Sequence, residues 1–188
     1  MKPSLLVIDF INEIVHENGK APSCCAYVKE HQVMRQANVA IARARSENIP
    51  IVFVTVGFRP NYVELPKNSP VFSGAAAKGA FQLGEWGTAF HDDLNYQPSD
   101  IVVIKHRVSP FYATSLEALL RAQQIDTLII CGVSTNNAVQ AAARDGHDRD
   151  YQIIVLEDAC GAKNIETHEN TLALLKDFSK IIKVKEWQ

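Results

Sequence analysis

Asp9 closes the apolar run Leu5-Leu6-Val7-Ile8, and Lys105 closes another, Ile101-Val102-Val103-Ile104. A carboxylate at the end of a buried strand is costly unless something compensates it. One reading makes Asp9 a general acid or base held beside Lys105, which would orient it or stabilise negative charge. The plainer readings are a carboxylate that caps the next turn and a lysine that snorkels to water. A third stretch, Ile129-Ile130-Cys131-Gly132-Val133-Ser134-Thr135-Asn136-Asn137-Ala138-Val139, runs from an apolar strand through a glycine into a helix. Such a turn aims backbone N–H groups at an anion or a developing oxyanion. Ala138 stands in the first helical turn, where a reactive side chain is expected. Ser134 and Thr135 read as turn and capping residues, not as replacement nucleophiles.

Other side chains are candidates for holding a ligand. Phe58, Arg59, Tyr62, Trp86, Phe111 and Tyr112 would suit a pocket for a small cyclic or carboxylated substrate, although aromatics also build cores. Arg59 is the candidate carboxylate clamp, because a planar guanidinium matches that group. His16, His91, His106, His147 and His168 are scattered, which fits surface or hydrogen-bonding roles. Cys24, Cys25, Cys131 and Cys160 include no CxxC and no zinc spacing, so buried or incidental thiols are expected.

The elements that must position these groups are legible from periodicity. The wholly apolar runs at 5–8 and 101–104 and the mostly apolar ones at 51–56, 127–131 and 151–156 read as buried strands, with a last short one at 181–184. Helices are expected over 33–45, from Thr114 with Glu117 as a capping box, over 139–149 and over 166–176. The stretch 57–99 dissolves into Pro, Gly and scattered aromatics, as binding loops and lids do. Alternating strands and helices predict a single three-layer α/β/α domain over residues 1–188, Rossmann-like, with a six-stranded, mostly parallel sheet. Ligands of such sheets bind beyond the carboxyl ends of the strands, where Asp9, Lys105 and Gly132–Ala138 all fall.

The charge balance is ordinary. A formal net charge of −2 leaves no basic footprint for nucleic acid or an anionic membrane. The apolar run at 5–8 is too short for a signal peptide or a membrane span, so a cytoplasmic protein is expected.

The blocks Leu6-Val7-Ile8-Asp9-Phe10-Ile11-Asn12, Lys105-His106-Arg107 with Ser109, Phe111 and Thr114, and Gly132-Val133-Ser134-Thr135 occur in order along the chain. Together with Glu157-Asp158-Ala159-Cys160 they resemble the isochorismatase-like cysteine hydrolases over nearly the whole sequence. The resemblance implies an Asp–Lys–Cys triad in which Asp9 and Lys105 fill the first two places. Ala138, six residues after Gly132, then fills the place of the cysteine nucleophile. The resemblance also implies a cis Val133–Ser134 bond and an oxyanion hole made by the N–H groups of Ser134 and Ala138. It further implies a small-molecule amide, urea-like or vinyl-ether substrate and a homodimer or homotetramer.

An alanine at that place closes the thioester route. The family's vinyl-ether hydrolases use acid chemistry that does not depend on the cysteine. The chain is then a natural cysteine-less hydrolase or an engineered inactive form. The alternative is a non-catalytic binding or interaction protein that retains the pocket. Ile11 stands where many relatives carry glutamine, and Val56-Gly57-Phe58-Arg59-Pro60 lacks the Asp-x-His metal set of nicotinamidases. No metal and no cofactor are therefore expected.

Overall fold

In the computed structural model, which describes residues 1–187, the β-branched runs become the middle of a six-stranded sheet. The strands β1 (Pro3–Ile8), β2 (Ile51–Val56) and β4 (Thr127–Val133) are covered on both faces, as their uninterrupted apolar sequences require. With β3 (Ile101–Lys105), β5 (Gln152–Gly161) and β6 (Lys180–Ile182) they form the order β3-β2-β1-β4-β5-β6. Every pair is parallel, so the sheet is wholly and not merely mostly parallel. The strand order reverses between β1 and β4, which opens a crevice at their carboxyl ends.

Helices supply the crossovers and the two outer layers. On α3 (Val33–Ser46) the buried residues Val33, Ala37, Ala40, Ile41 and Ala44 recur at helical spacing and pack on β1, β2 and β5. The small α6 (Gln140–His147) covers β4 and β5. Its Gly146 lies so close to Leu128 and Ile153 that a Cβ would stand 3.0 Å from the Ile153 side chain. Two further helices, α5 (Leu116–Ala122) and α7 (Ile165–Leu175), complete the three-layer α/β/α arrangement. Short α1 (Asn12–Val15), α2 (Cys25–Glu30) and α4 (Ala75–Lys78) lie in the connections. Among the described residues, no helix is long and apolar enough to cross a membrane.

Some boundaries differ from those expected. The last long strand does not stop at Leu156: β5 bulges through Glu157 and Asp158 and rejoins β4, so that Cys160 pairs with Gly132. The helix expected over 139–149 is shorter at both ends: α6 begins after one turn of π-helix at Thr135–Val139 and stops at His147. Thr114 does not form a capping box with Glu117. Its hydroxyl accepts the N–H of Leu116, while Glu117 pairs with Arg121. Cys25 opens α2, and Cys24 is its N-cap residue.

The long connection over residues 57–99 packs against the body of the fold. Phe58, Phe72 and Phe81 join Ile11 and Val56 in a second apolar cluster. Glu13 pins this segment. Its carboxylate is buried and accepts the N–H groups of Lys20 and Phe81, each at 2.7 Å. Gly87 passes close enough that a Cβ there would stand 2.9 Å from Glu13 Oε1. A buried carboxylate is tolerable when backbone donors surround it.

Candidate active site

β1 carries its apolar run to the crevice, and the next residue, Asp9, adopts φ of 57°, a left-handed conformation that turns the chain off the sheet. Its N–H donates to the Val54 carbonyl at 2.9 Å, so the turn stays hydrogen-bonded to β2. On the edge strand β3 the side chains alternate. Val102 and Ile104 face solvent, whereas Val103 and Lys105 point inward. Strand alternation thus sends the one charged residue of β3 into the fold.

The Lys105 ammonium passes over the end of β2 and meets Asp9, with Nζ 2.7 Å from Oδ2. Nζ also donates to the Arg107 carbonyl at 3.2 Å. Both side chains are almost completely buried, at 2% exposure for Lys105 and 4% for Asp9. Asp9 Oδ1 is buried and has no hydrogen-bond partner. Burial pushes the Asp9 carboxyl above the ordinary carboxylate value, and the adjacent Lys105 ammonium works against that rise. The pair therefore offers a carboxyl with one oxygen clamped by a cation and the other open.

β4 runs beside β1, and its penultimate residue is Gly132, at φ of 141°. A Cβ there would lie 2.3 Å from the Ile8 carbonyl oxygen, so only glycine lets the β4 backbone close against the end of β1. The Val133–Ser134 peptide bond is cis. The chain then enters the π turn, in which the N–H groups of Asn137 and Val139 both reach the Ser134 carbonyl, at 3.0 and 3.2 Å. Wide turns of this kind recur at functional sites because they shift a helix start without breaking it. Ala138 is 2% exposed and packs in the main core cluster. Its methyl group offers no nucleophile.

Ser134 makes no side-chain cap, and Thr135 does not cap the turn. The Thr135 hydroxyl points away, to Nδ1 of His168 on α7 at 2.8 Å, and both residues are buried. Neither this bond nor the contact of Glu13 with Phe81 has a local sequence signal, because the partners lie 33 and 68 positions apart.

The proposed ligand-holding residues fall in several places. Phe58 is fully buried against Phe72 and His106, in the second apolar cluster. The Arg59 guanidinium is exposed and pairs with Glu64 at 2.8 Å. The Tyr62 hydroxyl donates to the Ala80 carbonyl at 2.9 Å and holds the long connection shut. Phe111 is buried under the Arg149 guanidinium and faces Tyr151, on the α6 side of the sheet. Tyr112 is exposed beneath Arg107, and Trp86 is half-exposed with its ring edge toward His16. The Trp86 carbonyl accepts from the Asn12 side chain at 3.0 Å, which ties this segment to the residues just after Asp9.

Ser109 and Asp145 are joined at 2.6 Å, and Arg149 holds the other Asp145 oxygen, so the chain after β3 is anchored to α6. Among the described residues, no three His, Cys, Asp or Glu side chains gather as metal ligands do. All four thiols are free. Burial raises Cys24 to about 11 and Cys160 to about 12, and it raises Cys131 as well, so none of these three replaces the missing nucleophile.

Comparison with known proteins places these features in context. Residues 3–186 match the isochorismatase domain. The chain is 35% identical to the isochorismatase family protein YecD of Escherichia coli O157:H7, over 90% of this chain and 85% of that protein. It is 34% identical to the ureidoacrylate amidohydrolase RutB of Pseudomonas syringae pv. syringae, over 95% of this chain and 84% of that one. Several other ureidoacrylate amidohydrolases match over only 53% to 59% of their own length. Among solved structures, N-carbamoylsarcosine amidase from Thermoplasma acidophilum superposes with a TM-score of 0.78 at 27% identity. That superposition covers 100% of this chain and 99% of the other.

Proposed function

We propose that this chain, which belongs to the isochorismatase family of hydrolases, hydrolyses a small enol-ether (vinyl-ether) substrate by acid chemistry. The observation that carries this reading is the buried Asp9–Lys105 pair with Asp9 Oδ1 unpartnered, in a chain that has an alanine where the family resemblance puts a thiol nucleophile. Burial favours the protonated carboxyl, which suits a proton donor. Asp9 would protonate the terminal carbon of the enol ether and leave an oxocarbenium centre at the ether carbon. Water would add there and return a proton to Asp9. Collapse of the hemiketal would then give a ketone and an alcohol. Lys105 would stabilise the carboxylate formed in the first step, and the backbone N–H groups of Ser134 and Ala138 would hold substrate oxygen. No atom of the residue at 138 beyond its backbone is needed.

The ureido and carbamoyl amides named for the relatives make the discriminating substrates. Amide cleavage in this chain would lack covalent catalysis, which splits one hard step into two easier ones. The test is a panel of enol ethers and N-carbamoyl amides, run on the chain, Asp9→Asn and Ala138→Cys. Turnover of enol ethers that Asp9→Asn abolishes, with amide turnover appearing only in Ala138→Cys, is expected. Unchanged enol-ether turnover in Asp9→Asn would sink the assignment. Tight ligand binding without turnover in either the alanine or the cysteine form would instead identify a binding protein that kept the pocket.

A further inference from the structure

The turn that carries Ser134 to Ala138 is tied by side chains at two points: Gln140 of the adjoining α6 donates to the Asn136 carbonyl at 3.2 Å, and Thr135 reaches α7. Thr135, its first residue, is wholly buried, and the 2.8 Å bond from its hydroxyl to His168 is the one that ties a side chain of the turn to another element, among the described residues. His168 is itself held firmly. It lies in the first turns of α7, where Asn164 accepts the Thr167 N–H through its side chain and the His168 N–H through its carbonyl, at 2.9 and 3.1 Å. The imidazole ring faces the Tyr27 ring at 5.3 Å, and Tyr27 stacks in turn on His31 at 4.1 Å.

His168, Tyr27 and His31 border a cavity of about 250 Å³ that Glu157, Asp158 and Glu169 also line. Burial, reinforced by His31, lowers His168 to about 4, so the ring carries no charge at neutral pH and presents one donor and one acceptor nitrogen. Such an arrangement spends two buried polar groups on aiming a backbone turn. A threonine that merely satisfied itself would bond within its own turn.

We propose that His168 is a positioning residue, which through Thr135 sets the direction of the Ser134 and Ala138 amides toward the substrate. This rests on the reading that those amides face the reacting group. A displacement of the turn by about 1 Å is enough to cost on the order of 100-fold in rate.

The experiment compares Thr135→Val, which keeps the shape but loses the hydroxyl, with Thr135→Ser, which keeps the hydroxyl. His168→Leu and His168→Asn form a second matched pair. Enol-ether turnover is expected to fall about 10-fold or more in kcat for Thr135→Val and His168→Leu, with KM within about two-fold. The polar variants Thr135→Ser and His168→Asn should stay within about three-fold of the parent, and Thr135→Val/His168→Leu should be no worse than the weaker single variant.

A second readout does not depend on the reaction at all. In the Ala138→Cys background, the pH dependence of thiol alkylation by iodoacetamide reports how well the turn's amides stabilise negative charge. The apolar variants should shift that titration upward by about one pH unit, and the polar ones should not. If no substrate is turned over, the functional reading fails and the thiol titration still decides the positioning role. Equal kcat and equal thiol titration in Thr135→Val and Thr135→Ser would overturn the proposal. So would equal losses in both, since bulk packing would then be responsible.

Discussion

Replacing Lys105 with methionine keeps the stem that packs over β2 and removes the ammonium that sits 2.7 Å from Asp9. Burial raises the pKa of the Asp9 carboxyl, and Lys105 opposes that rise, with a smaller contribution from the Val56 N–H. Without Lys105 burial is opposed by the Val56 N–H alone. An isolated buried carboxylate is far costlier than a protonated one, so the variant should fold with Asp9 neutral. The cost then has a ceiling. Holding an acid with an ordinary value of 3.8 protonated at pH 7 costs about 4 kcal/mol, at about 1.4 kcal/mol per pH unit. At pH 5 the same cost is about 1.5 kcal/mol.

The sign follows from proton binding. Above pH 3.8 the folded variant holds a proton that the unfolded chain releases, so its stability falls as pH rises. Urea unfolding of the parent and Lys105→Met at pH 5, 6 and 7 reads the difference, and carboxyl-carbon NMR reads the Asp9 charge. A pH-independent loss, or an Asp9 that stays ionised at pH 7 in the variant, would refute the reasoning.

Three further substitutions test the scaffold around the pair. Gly132→Ala should lose about 3 kcal/mol or more by thermal or urea unfolding, because its Cβ would sit 2.3 Å from the Ile8 carbonyl at a φ of 141°. Glu13→Ala strands the buried N–H of Phe81 and the part-buried N–H of Lys20 and should cost about 2–3 kcal/mol, whereas Glu13→Gln, which keeps an acceptor, should recover about half of that in the same melts. Asn164→Ala removes the cap of α7 and should cost about 1 kcal/mol in urea unfolding, with faster amide exchange at Thr167.

Much of this architecture is written locally in the chain, and the remainder is not, for identifiable reasons. The strands over 51–56 and 101–105 and the helix over 33–46 announce themselves, because one period of apolar residues serves both the element and its burial. Asp9, Lys105 and Gly132 stand out because each ends such a run. Harder to see was that β5 continues past Glu157 and Asp158. Two acids normally end a buried strand, but a bulge lets them lie outside the ladder. The π turn replaces the first turn of an expected α-helix, and no composition rule distinguishes the two. Phe58 and Phe111 resemble pocket aromatics in sequence, yet each fills a core gap that exists only after distant segments meet.

β1 and β3 are not neighbours; β2 runs between them. Two strand spacings put about 10 Å between their backbones; lysine's unbranched stem covers more than half of that from the edge, and the Asp9 side chain and the contact itself cover the rest. The Asp9–Lys105 contact is thus also a cross-tie over a strand, binding the outermost member of the sheet to its centre. Fraying of that edge and loss of the acid's partner are one event. Even with no reaction to perform, the fold would still be held to the lysine, as a rivet.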